Sequence, residues 1–128
     1  MLTRANVLPL VARYAGECFA KRRAPHIAEL AYSVGVSPLK VSRLFEAATR
    51  RKLGAFLRTQ QVLRARRLLR WSGAHLDTVA RASGFETERS FYRAFRRVTG
   101  MTPARFRQLA AAERARACRE SSQWEQRM

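Results

Sequence analysis

The chain resembles itself. Residues 26–36, His26-Ile-Ala-Glu-Leu-Ala-Tyr-Ser-Val-Gly35-Val36, align at an offset of 49 with residues 75–85, His75-Leu-Asp-Thr-Val-Ala-Arg-Ala-Ser-Gly84-Phe85, and apolar positions fall on apolar positions. One extra residue after Gly84 moves the offset to 50, and Val41 then pairs with Phe91, Arg43 with Arg93, Phe45 with Phe95, Thr49 with Thr99 and Phe56 with Phe106. A chain of 128 residues holding two copies of one pattern must build two small, similar units, because each copy is too short to bury a core without a helix shared or borrowed from outside it.

Each unit reads as a short helix, a tight turn and a longer helix. In the first, Ile27, Leu30 and Ala31 form the i, i+3, i+4 stripe of an amphipathic helix that Gly35 ends. Ser37 and Pro38 suit the N-cap and N1 positions of the following helix. That helix is expected to bury Val41, Leu44, Phe45 and Ala48 and to present Leu39, Ser42, Arg43 and Glu46 on its opposite stripe. In the second unit Leu76, Val79 and Ala80 precede Gly84, and the next helix buries Phe91, Ala94, Phe95 and Val98 while presenting Arg89, Tyr92, Arg93 and Arg96. A small residue at Ala31 and Ala80 lets the two helices cross closely, so each unit has the pattern of a helix-turn-helix whose second helix is apolar on one side and basic on the other.

Residues 53–71 contain no proline, and their one glycine, Gly54, falls in the first turn, so they read as one continuous helix. Nineteen residues span nearly 30 Å at about 1.5 Å each. Leu53, Phe56 and Leu57 are expected to pack on the first unit and Ala65, Leu68 and Leu69 on the second, leaving Arg58, Arg64, Arg66, Arg67 and Arg70 for solvent or phosphate. An upstream helix with Val7, Leu10, Val11, Tyr14 and Cys18 on one stripe completes the first unit's core. The expected organisation is all-α, about seven helices: an N-terminal helix-turn-helix subdomain over 1–51, a linker helix over 52–72, a C-terminal helix-turn-helix subdomain over 73–108, and a tail over 109–128 that begins helically and frays.

Charge now sharpens the reading. The net charge is +17, and residues 40–107 carry 17 basic and 4 acidic groups, against 5 and 2 before them and 4 and 3 after. A disordered basic tail would concentrate charge at one end; here arginine alternates with Leu, Phe and Val at helical spacing, which places a basic face on a packed scaffold and points to a polyanionic partner. Hydrophobic residues make up 47% of the chain, yet no run approaches the roughly 18 apolar residues of a membrane span, and Arg13 interrupts the apolar stretch 7–12 before a secretory signal could form. A cytoplasmic setting without membrane contact is expected. Cys18 and Cys118 lack the spacing of a zinc site or disulfide framework. Neither a metal, a cofactor nor a catalytic residue is expected, and His26 and His75 read as capping or exposed histidines.

The segments Ile27-Ala-Glu-Leu-Ala, Gly-Val-Ser-Pro38, Val-Ser-Arg-Leu-Phe45, Arg64-Ala-Arg-Arg-Leu-Leu69, Val79-Ala80, Gly84-Phe85, Ser90-Phe-Tyr-Arg-Ala-Phe95, Gly100-Met-Thr-Pro103 and Phe106-Arg107 together resemble the DNA-binding domain of the AraC/XylS family of bacterial regulators, over about residues 25–108. The resemblance implies a sequence-specific transcription regulator that binds an asymmetric double-stranded DNA site as a single chain, inserts two recognition helices in adjacent major grooves, and activates or represses transcription, often through contact with RNA polymerase. Carried over position by position, base reading falls on Leu39, Ser42 and Arg43 in the first recognition helix and on Arg89, Ser90 and Arg93 in the second. Arg89 and Arg93 suit bidentate bonds to guanine O6 and N7, and Lys40, Thr87, Tyr92, Arg96 and Arg97 are placed for phosphates. Glu46, on the groove-facing stripe, is expected at the outer end of its helix.

Three departures stand out. Gln61 replaces a usual arginine on the linking helix, Arg50 replaces the glycine that normally follows the threonine, and Arg89 replaces a usual serine. Only about 25 residues precede the first unit, too few for a sensor domain, so the expectation is a short stand-alone member of the family or an excised fragment of a longer one. The alternatives are a non-specific basic protein that compacts nucleic acid and, more remotely, a DNA-repair alkyl acceptor using one of the cysteines.

Overall fold

The computed structural model describes residues 1–127, with side chains through Ser121. Seven helices follow one another: α1 (Val7–Ala20), α2 (Ile27–Val34), α3 (Pro38–Thr49), α4 (Leu53–Trp71), α5 (Leu76–Ala82), α6 (Glu88–Thr99) and α7 (Pro103–Arg127). None among the described residues is long and apolar enough to cross a membrane.

The helix ends repeat as the sequence does. After α2, the Gly35 amide donates to Tyr32 O and the Val36 amide to Ala31 O; after α5, the Gly84 amide donates to Arg81 O and the Phe85 amide to Ala80 O. These paired bonds close the last turn through a left-handed residue, which Gly35 (φ 75°) and Gly84 (φ 83°) adopt without a Cβ penalty. Ser37 caps α3 by accepting the Lys40 amide at 3.2 Å, and Thr87 caps α6 by accepting the Ser90 amide at 3.0 Å. Thr49 and Thr99 each donate to the carbonyl four residues back, Phe45 and Phe95, at 2.8 Å, and each accepts the amide two residues on. The residues between them, Arg50 and Gly100, both hold left-handed backbone.

Two apolar clusters form. The first joins Val7, Val11 and Ala15 of α1 with Leu30, Ala31, Val41, Phe45, Leu53, Phe56 and Leu57. The second gathers Val62, Ala65, Leu69, Val79, Ala80, Phe85, Phe91, Ala94 and Phe95, with Phe106 packed against it. Aromatic rings account for much of the second: Phe91 meets Phe85 at 5.4 Å and Phe95 at 5.8 Å, and Phe95 meets Phe106 at 5.6 Å, the last two edge-on, as ring quadrupoles favour. Its counterpart in the first cluster is the Phe45–Phe56 contact at 5.0 Å. Helix α4 contributes its first half to one cluster and its second half to the other.

Several expectations are corrected. Ala48 is exposed and Val98 is 40% exposed, although both fall on the apolar arc of their helices. They are equivalent across the repeat, and each lies in the last turn; periodicity gives a side chain's direction but not whether a neighbour stands there. Arg64 and Arg70 are partly buried, not free: Arg70 stacks on Trp71 at 5.6 Å and pairs with Glu113 at 3.3 Å, and Arg66 lies over Phe106 at 5.9 Å. His26 and His75 stand at the N-cap positions of α2 and α5 without a side-chain cap bond and are exposed, the second of the two roles expected of them. Helix α7 extends to Arg127 and is exposed from Ala111 to Ser121; Met128 lies outside the described residues.

Candidate nucleic-acid interface

Helix α3 is aimed by its buried side. Val41 and Phe45 are fully buried, which turns Leu39, Lys40 and Arg43 outward, Leu39 at 58% exposure. With Ser37, Leu44 and Ala47 they line a shallow depression of about 520 Å³. Ser42 is half-buried and is not among the residues lining the depression, and Glu46 is exposed.

Helix α6 is held in the same way by Phe91, Ala94 and Phe95, and Arg89, Arg93, Arg96 and Arg97 are all exposed. Tyr92 is half-buried, its ring edge-on to Phe91 at 5.8 Å, so its hydroxyl is carried on a braced ring. At the start of the helix Thr87 also donates to the Ser90 hydroxyl at 2.9 Å. Ser90 therefore keeps its own hydroxyl proton for another acceptor, and the cap points free amides of the first turn outward, where the helix dipole favours an anion.

Ser90, Arg93 and Arg97 open onto a cleft of about 670 Å³ whose other walls are Arg58 and Gln61 of α4, residues 24–26 of the α1–α2 connector, and residues 84–86. The predicted residues thus fall into two places: Leu39, Lys40 and Arg43 in the depression on α3, and Ser90, Arg93 and Arg97 in the cleft beside α6. Arg89, Tyr92 and Arg96 lie on α6 outside the cleft.

Few of the cations are held in ion pairs, and among the described residues none of those on α3 and α6 is. Among the described side chains the pairs are Arg13–Glu17, Arg23–Glu29, Arg70–Glu113 and Arg81–Asp77. Lys40, Arg43, Arg89, Arg93, Arg96 and Arg97 have no carboxylate partner among them. Six exposed cations on two equivalent helices therefore present uncompensated charge, which binds and steers polyanions.

Some of the site was not legible in the sequence. Gln61, noted only as a departure, donates from Nε2 to Ser83 O at 3.3 Å and Gly84 O at 3.0 Å. Tyr14, expected only in the core, accepts the His26 amide at 2.9 Å, with His26 O at 3.1 Å and Glu29 Oε1 at 3.2 Å as acceptors for its proton. Glu29 in turn pairs with Arg23. The bonds of Gln61 and Tyr14 join residues 12 to 23 positions apart, beyond the reach of helical periodicity.

The helix-turn-helix domain family matches residues 30–109. No curated protein sequence matches the chain. Among solved structures, the DNA-binding domain of AdpA, a global transcriptional factor solved in complex with a target DNA, is 32% identical, covers 83% of this chain and 94% of its own, and superposes with a TM-score of 0.69. A transcriptional regulator of the AraC-type DNA-binding class from Chromobacterium violaceum is 24% identical over 84% of this chain and 96% of its own, with a TM-score of 0.67. The C-terminal domain of the response regulator yesN from Fusobacterium nucleatum shares the fold at 19% identity and a TM-score of 0.73, covering 80% of this chain and 98% of its own. With two helix-turn-helix units and a family match over 80 of its 128 residues, the chain belongs to the AraC-type helix-turn-helix family of sequence-specific DNA-binding transcription regulators.

Proposed function

We propose that this chain reads a bipartite duplex site, with α3 and α6 entering successive major grooves and α4 as the stiff spacer between the units 1–51 and 73–108. The observation that carries this reading is the pair of equivalent helices whose outward cations lack carboxylate partners. At 19 residues, α4 is about 28 Å long, comparable with the roughly 34 Å between major-groove openings on one side of a duplex. Leu39, Ser42, Arg43, Arg89, Ser90 and Arg93 read bases; Lys40, Thr87, Tyr92, Arg96 and Arg97 hold phosphates, Thr87 through the helix start that it caps. Arg58, in the same cleft as Arg93 and Arg97, joins the phosphate set.

One chain carries both reading helices, which supports binding as a monomer. Contact with RNA polymerase, and activation as an outcome, rest on family membership, and the cytoplasm is the compartment this reading requires. Selection of bound sequences from a random duplex library tests it. A motif of two boxes centred about ten base pairs apart is expected; a single box, or no enrichment over random duplex at physiological salt, refutes it and returns the non-specific alternative.

A further inference from the structure

The two units differ at one pair of equivalent residues. A Cβ built at Gly35, in the turn of the first unit, meets nothing within 4 Å, whereas one built at Gly84, its equivalent, meets Arg23 O at 2.9 Å, Ala24 Cα at 3.0 Å and Gln61 Nε2 at 3.2 Å. Two of these are backbone atoms of the first unit. The turn of the second helix-turn-helix is therefore seated, backbone on backbone, against the α1–α2 connector of the first, and Gln61 of α4, beside the contact, donates to the Ser83 and Gly84 carbonyls of that turn and so ties it to the linking helix.

The connector is itself held at both ends. At its start the Arg22 amide donates to Phe19 O and the Arg23 amide to Cys18 O at 2.8 Å, closing α1 through a left-handed Arg22 (φ 55°). At its end Pro25 restricts Ala24 to extended backbone, and the Tyr14 hydroxyl holds the His26 amide. The Arg23 carbonyl thus stands at a fixed place relative to α1, and Gly84 stands at a fixed place relative to α5 and α6. Apart from this contact the extensive helix packings run within a unit or to α4.

We infer that Gly84 and Gln61 are positioning residues that fix the angle between the two recognition helices and so set the spacing of DNA boxes the chain accepts. The inference rests on the two-groove reading above. Without the contact the units are joined chiefly through their packing on α4 and sample a wider range of angles; binding of the second box loses the advantage of a preset geometry, and boxes at the wrong spacing become tolerable. Gln61→Glu removes the donor and sets a carboxylate against two carbonyl oxygens, whereas Gln61→Arg retains donors. Gly84→Ala adds the crowded Cβ at a left-handed position.

Two measurements test this. In free protein carrying Cys118→Ser, nitroxide labels at Tyr32→Cys and Arg105→Cys, both exposed and on opposite units, report the distance distribution between units by pulsed electron resonance. It is expected to be narrow in the parent and in Gln61→Arg, and broad in Gln61→Glu and Gly84→Ala. The second measurement titrates the duplex selected by the parent chain and the same duplex with one base pair inserted between the boxes, a change of about 34° in their relative phase. Gln61→Glu is expected to lose about tenfold on the selected duplex, about 1.4 kcal/mol, and much less on the inserted one. An equal loss on both duplexes, or an unchanged narrow distribution in Gln61→Glu, overturns the inference. If selection yields no two-box site, the two-groove reading fails while the distance measurement still decides whether the contact sets the angle; a Gly84→Ala chain that does not fold leaves the decision with Gln61→Glu and Gln61→Arg.

Discussion

Arg50 ends α3 with φ 58°, and its partner across the repeat, Gly100, ends α6 with φ 78°. A left-handed conformation costs an L-residue about 1–2 kcal/mol, because Cβ crowds the following carbonyl. Glycine escapes this cost, but its freer unfolded chain returns about 0.4–1 kcal/mol. Arg50→Gly should therefore gain about 0.5–1 kcal/mol relative to Arg50→Ala, the proper reference because both remove a cation that favours the carbonyl end of the helix. Arg50 is exposed, with no carboxylate partner among the described side chains, so little else changes. Gly100→Ala should lose about as much, since nothing lies within 4 Å of the added Cβ and strain alone acts. For a chain of this size the gain raises Tm by about 2–5 °C, measurable by circular dichroism at the helix band. If Arg50→Gly melts no higher than Arg50→Ala, the backbone angle is not the governing term and the reasoning fails.

Further outcomes follow from the interface and its supports. Arg93→Ala should cost about 1–3 kcal/mol on the selected duplex and relax base preference at one position, whereas Arg97→Ala should weaken all duplexes alike and reduce the slope of log K against log salt by about one unit; fluorescence anisotropy on selected and random duplexes separates the two. Thr87→Ala removes the cap of α6 and should lower stability by about 1 kcal/mol in urea unfolding, with a further loss in DNA affinity that Thr87→Ser restores. Burial pushes the Tyr14 phenol above its ordinary pKa of 10.0. The folded chain keeps that proton where the unfolded chain has lost it, so its stabilisation is whole below about pH 10 and is lost as pH rises beyond. Tyr14→Phe should flatten the decline measured by denaturant titration between pH 9 and about 11; a decline of unchanged size would rule out Tyr14 as its source.

Much of the fold was legible because its causes are local. The linking helix spans Leu53–Trp71, the residues expected from the absence of proline and from continuous helical spacing. Ser37 caps α3 as its hydroxyl and the following proline suggest, and Gly35 and Gly84 take left-handed backbone as the repeat requires. The apolar residues of α4 divide between two clusters at the place where the stripe changes partner. What failed was the inference from direction to burial. Ala48 and Val98 point with the core stripe but meet no covering neighbour, and Arg64 is drawn into the structure with its Nε buried and without a partner. Of the two roles expected for His26 and His75, capping or exposure, they take the second: both stand exposed at the N-cap positions without a cap bond.

Repetition, helical period and turn chemistry are short-range properties, each decided within a few residues, and from them the sequence alone determined two like units, their helices and the side of each helix that carries charge. How the units sit against each other was decided only in three dimensions. Gly35 and Gly84 are alike in sequence context and in backbone angle, yet one turn faces open space and the other receives the backbone of Arg23 and Ala24. Gln61 reaches 22 and 23 residues along the chain to brace that meeting. The physical reason is that packing between units depends on which surfaces the shared helix brings together, and no local pattern records it.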